Sequence, residues 1–256
     1  MSALDRVLAE AVAAFRTFVR RRTAVFFTFF FPVLLIAIFA GLVRTQPTGG
    51  GLFSRPTAYY VPGYLAVVVL FTPLSRVGSE VARYRADGRF EKLASTPLNR
   101  FEWLVAQTVV NTTLILAATV VLVVALLTLG TEMTVSPWIL PFVIVGSVLF
   151  CGVGALIGSA ASSQDGAISM ANGIALPLLF LSETFVTPNL FPAWFRSVPL
   201  VSPLTYFARG VRDAVSANAL ESVGPALGIA GNFLVLSALA LVLFVAGGTA
   251  LDWTGD

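Results

Sequence analysis

The chain has no histidine, one cysteine and one lysine, and only 11% of its 256 residues are charged. Each shortage excludes a class of chemistry. Without histidine, the usual proton shuttle near neutral pH and the commonest metal ligand are both missing. A single thiol, Cys151, rules out an intramolecular disulfide framework. It sits in the small-residue run Gly146, Gly152, Gly154 and Gly158, a pattern of close helix packing rather than of thiol chemistry. The one lysine, Lys92, is followed by Leu93, so the phosphate-binding pattern GxxxxGK[ST] is not present. Neither HExxH nor CxxC occurs, and the serines have no base partner. No catalytic, metal-binding or cofactor-binding residues are therefore expected.

Apolar residues, by contrast, make up 57% of the chain. They form several continuous runs, each long enough to cross roughly 30 Å of hydrocarbon. A β-barrel would show short alternating segments instead. The pattern predicts an all-α integral membrane protein, one transmembrane domain over 1–256, with six spans at 23–43, 58–75, 103–129, 138–161, 167–182 and 225–251. Pro62, Gly63 and Pro73 fall in the second span, where neighbouring helices can re-satisfy the backbone. Residues 1–22 carry an apolar stripe of Leu4, Val7, Leu8, Ala11, Phe15 and Phe18 beside Arg16, Arg20, Arg21 and Arg22. That is the pattern of an interfacial helix with snorkelling arginines. A signal peptide fits poorly, because the charged region is long and no small-residue cleavage site follows.

The placement of charge orients the chain. Arg76, Arg83, Arg85, Arg89, Lys92 and Arg100 crowd into one segment, 76–102, together with Glu80, Asp87, Glu91 and Glu102. This segment and the N-terminal arm hold eleven basic residues. Arg44, Arg55, Arg196, Arg209 and Arg212 fall on the other side. The positive-inside rule then places both termini and residue 89 in the cytoplasm, with Gly50 and Ala217 outside. Val77, Val81, Tyr84 and Gly88 recur at helical spacing, and Glu80, Arg83 and Asp87 lie on another face. The segment thus reads as a charged amphipathic helix along the membrane. The stretch 183–224 is dense in proline and aromatics, including Pro188, Pro192, Pro199 and Pro203. It reads as short re-entrant or interfacial helices before the last span, or as a folded extracellular hairpin. Trp194, Phe195 and Tyr206 are expected at headgroup level as an outer gate, with Arg209 and Arg212 facing headgroups or anionic cargo. Polar groups within the spans, Gln107, Asn111, Asn172 and Glu183, either line a translocation path or hydrogen-bond between helices. Asp165, in a tight turn, reads as solvated.

The run Arg85–Glu102, RADGRFEKLASTPLNRFE, resembles the cytoplasmic motif of ABC-2 type transporter permeases, with its Thr-Pro-x-x-Arg-x-Glu element. Arg89-Phe90 stands where that family more often has a small residue. Pro199–Tyr206, followed by Arg209 and Arg212, is similar to the family's outer element before the last span. Drug- and lipooligosaccharide-export-like permeases are the most similar branch. The resemblance implies a permease subunit that dimerises, with a second copy or a homologue, and exports a drug, lipid or glycolipid across the cell membrane. ATP and Mg would be bound by a separate ATPase subunit. Segment 76–102 would be the coupling helix. Arg89, Phe90, Glu91, Lys92, Leu93, Thr96, Pro97, Arg100 and Glu102 would meet the ATPase, with Phe90 and Leu93 plugging a pocket there. Membrane lipids are expected partners and nucleic acid is not. An ion-coupled secondary transporter is the alternative, but it would need midplane carboxylates and an inverted repeat, neither of which stands out.

Overall fold

The computed structural model describes residues 2–38, 57–131, 133–186, 191–215 and 227–253, and these residues form helices joined by turns, with no strand among them. The expectations placed on Arg44, Gly50, Arg55, Pro188, Ala217, Pro225 and Asp256 lie outside the described residues. The helices are α1 (Ala3–Arg20), α2 (Arg22–Ile36), α3 (Val61–Ala86), α4 (Arg89–Ala94), α5 (Arg100–Thr128), α6 (Ile139–Ala160), α7 (Gln164–Phe180), α8 (Pro203–Val215) and α9 (Gly228–Ala250). Four segments among the described residues are long and apolar enough to cross a membrane: Ala58–Ala86, Arg100–Thr128, Ile139–Ala160 and Gly228–Ala250. The helices α2 and α7, also expected as spans, are short here, 15 and 17 residues, with Pro32 inside α2 and Pro177 inside α7.

At the centre, α6 packs against α3 on one side and α9 on the other. The glycine run makes that closeness feasible. A Cβ on Gly158 would lie 2.5 Å from the carbonyl oxygen of Gly78, and one on Gly152 would lie 2.5 Å from that of Leu243. Backbone meets backbone at both crossings, and dispersion between close surfaces takes the place of the hydrophobic effect that lipid cannot supply. Cys151 is buried in this packing, as its surroundings predicted.

The charged segment differs from expectation. It is not a separate helix along the membrane: α3 runs unbroken through Arg76, Arg83 and Arg85 to Ala86. No proline lies between Pro73 and Gly88, Gly78 packs against Gly154 and Gly158 of α6, and Val77 and Val81 are buried against the same glycine face. The chain reverses only at Gly88, whose φ of 59° is the left-handed conformation that glycine adopts without a Cβ penalty.

The helix α1 has two apolar faces. Ala11 and Phe18 are buried with Ala106, Val110 and Leu114 of α5. Leu4, Leu8, Val12, Phe15 and Val19 form an exposed row at helical spacing. A capping box between Ser2 and Asp5 starts the helix.

Candidate functional site

After α3, the segment from Gly88 to Glu102 forms a compact module in which almost every side chain of the sequence motif has a local structural task. The six-residue α4 is too short to be stable alone. It is held by an aromatic cluster. Phe90, 3% exposed, lies between Tyr84 of α3, Trp103 of α5 and Trp253 beyond α9, with ring centroids 5.4, 5.2 and 5.3 Å away. Thr96 ends α4, its hydroxyl donating to the Leu93 carbonyl at 2.7 Å and accepting from the Leu98 amide at 3.3 Å. Pro97 follows with no donor to extend the helix. Asn99 then caps α5: its side chain accepts from the Glu102 amide at 2.9 Å, while Glu102 accepts from the Asn99 amide at 3.1 Å. The same Glu102 carboxylate receives both Nε, at 3.0 Å, and Nη2 of Arg6, tying α1 to the start of α5. This bond to Glu102 holds the Arg6 guanidinium above its ordinary pKa. Arg100 donates to the Thr249 carbonyl at 3.3 Å, near the end of α9, where a cation is favoured.

Two assignments within the motif change. Phe90, expected to plug a pocket in another subunit, is inside this chain's own core, and Glu102 is a cap and an interhelical tie. A bulky ring at a position where a small residue was anticipated is accommodated because Trp253 and Trp103 enclose it. The exposed surface of the module consists of Arg89, Glu91, Lys92, Ala94, Ser95, Thr96, Pro97, Asn99 and Arg100, with Leu93 partly buried. Arg89 pairs with Asp87 at 3.1 Å and lies over the Tyr84 ring.

The polar residues proposed to line a path do not converge. Gln107 and Asn111 are buried on α5. Gln107 donates to Glu10 of α1 at 3.5 Å, and Asn111 donates to the Gln107 carbonyl at 2.8 Å. Burial raises the Glu10 carboxyl above its usual pKa. Asn172 is on an exposed face of α7. Glu183 is 1% exposed and receives Nε and Nη2 of Arg209 at 2.7 and 2.5 Å. Arg212 donates to the Glu183 backbone carbonyl at 2.7 Å and stacks on Tyr59 at 4.2 Å. Arg209 and Arg212, 4% and 5% exposed, are therefore internal ties and not headgroup contacts. Neither role was legible in advance, because the linear pattern shows two arginines in an amphipathic helix and no sign of which face is covered. At the expected outer gate, Trp194 is 79% exposed, Phe195 contacts it edge to face, and the Tyr206 hydroxyl donates to the Leu200 carbonyl at 2.8 Å.

A cleft of about 560 Å³ separates α1 and α2 from α3, with α5 and α7 contributing at its margins. Its lining includes Phe27, Phe31, Val67 and Phe71, and also Arg21, Arg76, Glu80 and Arg83. Nothing in the linear sequence marks this cleft. Arg21 and Glu80 were visible only as members of separate charged stretches.

The family model described as ABC-2 type transporter matches residues 7–215. A Porphyra purpurea protein whose name describes a transport permease, ycf38, is 26% identical over 187 residues, covering 71% of this chain. The match spans 64% of that relative's length, less than two thirds.

Proposed function

The chain belongs to the ABC-2 type transporter family, and we propose that it is a transport subunit rather than an enzyme, the membrane subunit of an ATP-binding cassette exporter. It dimerises, rests on separate ATPase subunits that bind ATP and Mg, and moves a hydrophobic or amphiphilic substrate outward across the cell membrane. In this reading α2 and α7 complete a six-span topology with both termini in the cytoplasm.

The observation that carries the proposal is the mounting of α4. Its buried side is clamped by aromatics from α3, α5 and the segment after α9, while Glu91, Lys92, Thr96 and Pro97 face outward. A short rigid knob between two long helices is suited to receive motion from a partner and pass it to both. Its exposed charges supply orientation and specificity toward that partner. The Glu183–Arg209 pair, which ties the residues just after α7 to α8, would act as a stiff unit at the exit side.

The ion-coupled alternative lacks support from the carboxylates in the long apolar segments. Glu80 is held by Arg21 and Arg83, and Glu102 by Arg6 and the α5 cap. Co-expression with the ATPase of a neighbouring gene tests the reading. A stable complex whose ATP hydrolysis responds to the permease supports it, and no association in any detergent or lipid contradicts it. Single-cysteine labelling from outside intact cells tests topology: reaction at residue 50 and protection at residue 89 are expected.

A further inference from the structure

The cleft between α2 and α3 is chemically two-ended. One part is lined by Phe27, Phe31, Val67, Phe71 and Ile168, and the other by the guanidinium-bearing residues Arg21, Arg76, Arg83 and Arg89. The opposing charge is already engaged. Glu80 is shared by Arg21, at 3.3 Å, and Arg83, and Asp87 pairs with Arg89. Glu10 lies near Glu80 but contacts Gln107. Arg76 has no ion pair among the described residues. Its Nη2 donates to the Ala14 carbonyl at 3.4 Å, its guanidinium lies 4.9 Å from the Phe18 ring, and its enclosed Nη1 has no partner.

A cation on a long apolar helix is costly when the nearby carboxylate, here Glu80, is already engaged by two other arginines, and such residues ordinarily find an anion or a polar path. The volume of about 560 Å³ falls in the range of small-molecule sites. Phe27 and Phe31 are 58% and 41% exposed, so the apolar part is not filled by the described residues.

We infer that this cleft binds an anionic amphiphile drawn from the bilayer, with a phosphate-type headgroup against Arg21, Arg76 and Arg83 and an acyl or other apolar chain along Phe27, Phe31 and Phe71. The charged part suits phosphate because guanidinium donors match its oxygens in paired geometry. The apolar part requires that a hydrocarbon chain accompany the anion. As a binding site the cleft stands independently of the permease reading; as the cargo site of an exporter it rests on that reading.

The test uses the purified full chain in neutral detergent, without any ATPase, titrated with dioleoyl phosphatidylglycerol or dioleoyl phosphatidylcholine and read by native mass spectrometry. One phosphatidylglycerol per chain should be retained in preference to phosphatidylcholine. Arg76→Gln and Arg21→Gln should each reduce that preference by about fivefold, the usual worth of one basic residue at a lipid headgroup. Arg76→Lys should keep most of it. Arg16→Gln/Arg20→Gln, which alters exposed charges on α1 outside the cleft, should leave it unchanged. Only variants that elute and melt like the parent are compared, and Arg21→Gln provides the readout should Arg76→Gln fail to fold. Glycerol phosphate should not displace the lipid. Displacement by glycerol phosphate would overturn the amphiphile assignment in favour of a free phosphate site. Equal retention of the two lipids, or a preference removed by Arg16→Gln/Arg20→Gln but not by the cleft variants, would overturn the site itself. Either of those results would leave the co-purification test of the permease reading untouched.

Discussion

Trp253 lies over Phe90 with ring centroids 5.3 Å apart, so the residues following α9 brace the six-residue α4 that follows α3. The contact joins two segments far apart in sequence at the point where the motif exposes its charged surface. It makes the geometry of α4 depend on where α9 ends. Trp253→Ala should therefore loosen α4 without unfolding the bundle. Removing a half-buried indole ring should cost about 1–2 kcal/mol. Thermal unfolding in detergent should show the loss, and Trp253→Phe should recover most of it. An Ala variant that melts with the parent and binds the ATPase as well would remove this brace from the account.

The Glu183–Arg209 pair supports a different prediction. Both groups are nearly inaccessible, so Arg209→Met leaves a buried carboxylate without its guanidinium partner and should cost about 3–5 kcal/mol. Adding Glu183→Gln should restore much of the loss, because the stranded charge disappears. Folded yield by fluorescence-detected size exclusion, with melting temperatures, separates the cases. Additive losses in the double variant would show that the two residues act independently.

Helix crossing at Gly158 sets a steric limit. A methyl group there would meet the Gly78 carbonyl and Val81 Cβ, and neither can turn aside as a flexible side chain would. Gly158→Ala should destabilise the fold by about 1–3 kcal/mol, the range for overpacking a tight core. Gly173→Ala, where a Cβ would meet nothing within 4 Å, should be close to neutral on the same assay.

Glu10 yields a pH signature. Burial raises its carboxyl pKa in the folded chain, so the folded state holds that proton more tightly than the unfolded one. The sign follows: the charged form disfavours folding, and stability falls as pH rises through the carboxylate range. Glu10→Gln should melt higher than the parent at neutral pH, and the gap should close in acid as the parent protonates. A constant gap at all pH values would assign the effect to packing rather than ionisation.

Much of this architecture was legible in the sequence because lipid imposes a simple rule: long apolar runs must be helices. The third, fourth and last runs became α5, α6 and α9 within a few residues, and the glycines around Cys151 marked a close crossing. The charged segment was harder, because its helical period continues that of the preceding run and only Gly88 marks the true break. Phe90 next to charged residues looked like an exposed anchor. Its burial depends on Trp253, some 160 residues away, which no local pattern reveals. Likewise, the pairing of Arg209 with Glu183 needs the turn after α7 to fold back on α8, and the cleft needs α1 and α3 side by side.

The most direct test of the central claim is photocrosslinking from the exposed side of α4. A photoreactive amino acid placed at Lys92 or Thr96, both exposed, should crosslink to the co-expressed ATPase, and the yield should change between nucleotide-free and ATP-trapped states. The same group at Trp194, exposed on the segment before α8, should give no ATPase adduct. Crosslinking from Trp194 but not from Lys92 or Thr96 would contradict both the orientation and the coupling role assigned to α4.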